Sequence, residues 1–86
     1  MIPKQATLIK NAFTLIESET ELDSWRLLQS KQLIAEIKKE ANLWEWLKNP
    51  MISTILSLLN PLIGKSFKIA QAVKLLLEGL SEAGVK

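Results

Sequence analysis

The chain contains no cysteine, no histidine and no tyrosine. Without thiols there is no disulfide framework and no cysteine nucleophile. Without imidazole there is no histidine acid–base chemistry, and zinc sites of the Cys/His kind have no ligands. No cofactor and no metal is therefore expected. Glycine and proline number three each, so turns are few and elements long. Valine occurs only at Val73 and Val85, and threonine four times, so the residues that strands lean on are scarce. The longest uncharged run, Asn49 to Gly64, spans sixteen residues and holds two Asn-Pro pairs. A membrane-spanning helix needs about 20 apolar residues, so a single-pass anchor is not expected. Lys4 and Lys10 interrupt what would be the apolar stretch of a secretory signal, and a cytoplasmic location is expected.

What is present is leucine and isoleucine, 25 of the 86 residues, with alanine, lysine, glutamate and glutamine. These are mostly good helix formers. The hydrophobic share of 48% with a net charge of only +2 is too apolar for a disordered segment. The expected fold class is all-α: one domain over residues 1–86, a compact bundle of about four helices (two longer, one short, one C-terminal) completed by self-association.

In the first helix, about Pro3 to Ile16, Leu8, Ile9, Ala12, Phe13 and Ile16 fall on one face, and Pro3 suits the first turn. The acidic stretch from Glu17 to Asp23 would oppose a helix C-terminus and favour an N-terminus. Ser18 with Glu21 fits a capping box, as Thr20 with Asp23 does more loosely, which places a turn near residues 18–20 and a new helix after it. That second helix is expected from Glu21 to Lys48. Its later stripe is Leu33, Ile34, Ile37, Ala41, Trp44 and Leu47, while Leu22, Trp25 and Leu28 point to a different side. Such a shift implies two packing partners or a bend near Ser30. Asn49-Pro50 supplies a cap and a first helical residue for a short third helix, Met51 to Leu59, carrying the stripe Ile52, Ile55, Leu56, Leu59, Leu62 and Ile63. Pro61 predicts a break at Asn60, with a kinked continuation as the alternative. The last helix is expected over Pro61 to Ala83 with Ile69, Val73, Leu76, Leu77 and Leu80 as its apolar face. Gly84 would end it, with Val85 packing on Leu80. Gly79 then lies inside the helix, where it admits a close neighbour.

Candidate chemistry is thin. Glu36 and Glu40 are one helical turn apart, but Lys38 and Lys39 beside them favour ordinary surface ion pairs. Gly64-Lys65-Ser66 lacks the upstream glycine and the preceding strand of a phosphate-binding loop. Lys65, Lys68 and Lys74, with Phe67 among them, make a sparse basic patch, and Arg26 is the only arginine. Trp44 belongs to the apolar stripe, so Trp46, two residues on, is expected to face outward: at a membrane interface or partner surface, or over a loop or the third helix.

The expected function is a non-catalytic interaction or regulatory module, not an enzyme. Wide apolar faces on a domain this small offer more greasy surface than one core needs, so the expected partner is a second copy, as a homodimer, or another protein. The residues expected to carry contact are Trp46, Ile52, Leu56, Leu59 and Leu75. The runner-up is a membrane-surface or membrane-active protein using residues 49–64, which lie in the mildly cationic half of the chain. A nucleic-acid regulator using Lys65, Lys68 and Lys74 comes third.

Overall fold

The computed structural model describes residues 4–82. Five α-helices and one 3-10 turn follow in chain order: α1 Lys4–Ser18, α2 Trp25–Ile37, α3 Leu43–Lys48, α4 Met51–Leu59, the 3-10 turn Asn60–Leu62, and α5 Phe67–Glu82. No strand occurs among the described residues, as the scarcity of strand formers predicts. Pro3, the side chain of Trp44, and the Gly84–Val85 cap lie outside what is described.

Helix α1 buries Ala6, Ile9, Ala12, Phe13 and Ile16 on one face, four of the five predicted stripe residues plus Ala6. Only Leu8 stays half-exposed. Its principal neighbour is α5, which runs antiparallel to it. A methyl placed on Gly79 would lie 2.9 Å from Ile9 Cδ1 and 3.2 Å from the Gln5 carbonyl oxygen. The interior glycine thus permits the close approach of α5 to α1. Helix α2 buries Leu27, Ser30, Ile34 and Ile37 and packs chiefly on α4, which buries Ile52, Ile55 and Leu59. Ser30 is fully buried and satisfies itself by donating its hydroxyl to the Arg26 carbonyl at 2.8 Å.

The expected single second helix is two. The chain leaves helix α2 at Ile37, turns through Lys38–Asn42, and restarts as α3. The turn lets Trp46 fold back onto α1: its ring stacks on Phe13 at 5.6 Å, and its indole N–H donates to the Glu40 carbonyl within the turn at 3.1 Å. Two aromatic rings buried together offset the helical hydrogen bonds lost at the break. Ala41, predicted inside the stripe, is exposed.

The new helix expected after residues 18–20 starts later, at Trp25. Ser18 and Glu21 do not form a capping box; the Ser18 hydroxyl turns back to the Leu15 carbonyl. The cap is Ser24, whose side chain accepts from the Arg26 amide at 3.2 Å. Helix α4, in contrast, matches its predicted bounds. Asn49 Oδ1 accepts from the Met51 amide at 2.9 Å and opens the helix as an N-cap side chain does. At Asn60 the chain continues instead of breaking: Asn60 keeps right-handed helical angles, φ −53° and ψ −46°. Pro61 brings no amide hydrogen, so the chain tightens into the 3-10 turn, and Leu62 is buried beneath it. The last helix accordingly starts at Phe67, not Pro61. Its Leu77, predicted on the apolar face, is 55% exposed, and so in part is Ile63 of the third-helix stripe.

The core closes within one copy. The accessible surface of 5294 Å² is close to the about 5,100 Å² expected of a monomeric globule of 9.7 kDa.

Two substitutions test this packing. Gly79→Val drives branched methyls into Ile9 and the Gln5 carbonyl, with an expected cost of about 1–3 kcal/mol in chemical denaturation. Ile55→Asp places an unpaired charge at a fully buried position. Its cooperative melting transition is expected to disappear, and a normal melt would show that α4 does not pack as described.

Candidate functional site

The most elaborate polar arrangement is centred on Glu19, which follows α1 and is 9% exposed. Its Oε2 accepts from the amides of Glu21 and Leu22, at 2.9 and 3.2 Å. Its Oε1 accepts from the Ser66 hydroxyl. Ser66 Oγ in turn accepts from the Ile69 amide at 3.3 Å, as the N-cap of α5. The Glu19 carbonyl accepts from Lys31 Nζ at 2.7 Å, and the Ser18 carbonyl from Lys68 Nζ at 3.1 Å. The hydrogen bond from Ser66, followed by that from the Glu21 amide, holds the Glu19 carboxyl below its ordinary pKa against the opposing effect of burial. A carboxylate with both oxygens engaged and a lowered pKa is a weak base. A serine that caps a helix while donating to that carboxylate is fixed in place. The arrangement is a staple between the α1–α2 loop and the start of α5.

The staple gathers one end of the bundle. Arg26 Nη1 reaches the Leu58 carbonyl near the end of α4 at 3.5 Å, bringing the start of α2 to the end of α4. Four of the five large apolar side chains that stand exposed lie on the segments joined there: Trp25 (64%), Leu28 (60%), Ile63 (38%) and Phe67 (82%). The Arg26 guanidinium lies over the Trp25 ring, 4.8 Å from its centre. Beside them an open hollow of about 370 Å³ is lined by Leu22, Trp25, Leu27 and Leu28, with Asp23 and Lys31 among its polar residues. The fifth exposed residue, Leu77, borders a second hollow of about 390 Å³ between α4 and α5, with Leu56, Pro61 and Val73.

The residues singled out by sequence do not form a surface. Trp46, expected to face outward, is buried on Phe13; Ile52 and Leu59 lie in the core. Amphipathic α4 turns them inward together with Ile55, and its outward face is Ser53, Thr54 and Ser57. In segment 49–64, Ile52, Ile55, Leu59 and Leu62 are thus turned to the core, while Ile63 stands exposed. No helix among the described residues is long and apolar enough to cross one. Leu56 and Leu75 are half-buried against the core, and Leu56 borders the hollow between α4 and α5. Glu36 pairs with Lys39 at 3.1 Å, as the surface reading expects. Among the described residues no three acidic residues gather into a group that could hold a metal ion.

Trp25, Leu28, Ile63 and Phe67 are the exposed residues that sequence patterns did not select. For Trp25 and Leu28 a signal was present, since both lie off the stripe that continues through Ile34 and Ile37. Compared with known proteins, the chain matches no family model, no curated protein and no solved structure.

The staple has a pH signature. A folded-state pKa below the unfolded value means that Glu19 stabilises the fold above the ordinary glutamate range, and that this contribution is lost as the pH falls through the folded value. Glu19→Gln is expected to lower the melting temperature at neutral pH and to flatten its decline on acidification, followed by circular dichroism from pH 7 to pH 2.

Proposed function

We propose that this chain is a non-catalytic interaction module that works by self-association through the end of the bundle built from the α1–α2 loop, the start of α2 and the turn into α5. The observation that carries the reading is that Trp25, Leu28, Ile63 and Phe67, two of them aromatic, stand exposed on segments that the Glu19–Ser66 and Arg26–Leu58 bonds tie together. Exposed apolar residues scattered singly need no explanation; a cluster rimmed by polar groups marks a contact surface. Aromatic side chains are enriched at such surfaces because they supply large area at small entropic cost.

The alternative occupants have weaker physical support. A lipid surface would meet Phe67 with Lys65 and Lys68, but the neighbouring loop adds the exposed carboxylates Glu21 and Asp23. A nucleic-acid backbone would meet the same acids, while Lys68 is held by the Ser18 carbonyl. Protein contact accommodates both signs of charge.

Self-association makes stability depend on concentration. The melting temperature is expected to rise over a hundredfold increase in protein concentration, and light scattering to give twice the chain mass at the upper limit. A constant melting temperature with a monomer mass throughout would exclude the reading.

A further inference from the structure

The break between α2 and α3 has no helix breaker in it: neither glycine nor proline lies between Trp25 and Lys48. In sequence, Ile34, Ile37, Ala41 and Trp44 keep the three-and-four spacing of one helix face straight through it. Helix α2 closes with tightened bonds, from the Lys39 amide to the Glu36 carbonyl at 3.2 Å and from the Glu40 amide to the Ile37 carbonyl at 3.0 Å. The contact that holds the bend comes from α1, where Phe13 receives the Trp46 ring at 5.6 Å. A place where local preference and tertiary packing disagree is where a second packing comes within reach.

Straightening has a definite consequence. A single helix from Trp25 to Lys48 is about 36 Å long, against 35 Å for the longest dimension of the closed molecule. In the closed molecule α4 runs back along α2, so that Arg26 reaches the Leu58 carbonyl and the chain enters α5 beside Glu19. After straightening, the nine residues of α4, about 13 Å, return only as far as the end of α2. The Arg26–Leu58 and Glu19–Ser66 bonds are then out of reach within one copy, while a second copy opened in the same way offers the same partners. We propose that Lys38–Asn42 is a hinge through which two copies exchange halves: α2 and α3 of each become one helix, and its α4 and α5 pack on α1 and α2 of the other. The contacts of α1 and α2 with α4 and α5 are remade between copies, the hinge residues gain helical bonds, and the Trp46–Phe13 stack is given up. This goes beyond the end contact proposed above, in which each copy stays closed.

The chain has no cysteine, so Gln29→Cys with Ser57→Cys supplies one pair of spin labels, at exposed positions of α2 and α4. The full chain is refolded from denaturant at high concentration with an excess of unlabelled chain, and dimer is separated from monomer. The dimer is expected to keep its mass on dilution, because reclosing requires α1 and α5 to part. Within it the distance between the two labels of one chain, read by electron paramagnetic resonance, is expected to rise from that of neighbouring helices, with axes about 10 Å apart, to about 35 Å or more. Ala41→Gly, at an exposed turn position, is expected to lower the dimerisation constant attained on refolding about thirtyfold, the effect of one interior helical glycine in each of two hinges. A chain that refolds only as monomer, a dimer that keeps the monomer's label distance, or a dimer indifferent to Ala41→Gly overturns the exchange. A dimer that keeps the short distance and dissociates on dilution is instead the pairing of closed copies.

Discussion

Close contact between α1 and α5 is the constraint from which the rest of the molecule follows. Helix α1 has a face built from two alanines and three larger side chains, all essentially inaccessible to water. Alanine and glycine at the crossing let the two backbones approach, and Gly79 leaves no space for even one methyl beyond what Ile9 already fills. Once α1 and α5 are locked antiparallel, the end of α1 and the start of α5 must coincide. The remaining elements then complete the cover of α1: α3 brings Trp46 onto Phe13, and α2 and α4 close the core as a packed pair.

That coincidence of ends explains why the polar staple and the exposed apolar cluster occupy the same region. The Ser18 carbonyl, Glu19 and the first turn of α5 meet there: the ammonium groups of Lys68 and Lys31 satisfy the Ser18 and Glu19 carbonyls at the end of α1, the Ser66 hydroxyl takes the Ile69 amide at the start of α5, and the Glu19 carboxylate takes the loop amides of Glu21 and Leu22. Residues fixed by such bonds cannot turn their apolar neighbours inward. Phe67 immediately follows Ser66 and is carried outward by the helix that Ser66 caps. Trp25 likewise follows the cap Ser24, on the side of α2 opposite Leu27 and Ile34. The apolar end is thus a consequence of how the helices are started.

Much of the fold was legible from residue patterns because those patterns express local energetics. The α1 stripe, the bounds of α4 and the Asn49 cap each depend on a few neighbouring residues or on one helix face. The candidate site was far less legible. Periodicity set Trp46 outward on the assumption that one helix continues from residue 21 to residue 48, and after the break at Lys38–Asn42 Trp46 faces inward. No proline or glycine marks that break, since the stabilising contact is with Phe13, some 30 residues away in the chain. Ile52 and Leu59 illustrate the complementary error: a stripe shows which residues share a face, and only packing shows whether that face meets the core or a partner.

By itself, the sequence determined the helical class, the absence of thiol and imidazole chemistry, and the Asn49 cap, because helix propensity, side-chain inventory and capping are properties of short segments. Tertiary structure alone decided that the second helix splits, that Trp46 is core, that the chain closes its core in one copy, and which apolar residues stay exposed. Those outcomes depend on which distant groups meet, and burial of a ring or a carboxylate outweighs the local preferences that pattern and propensity record.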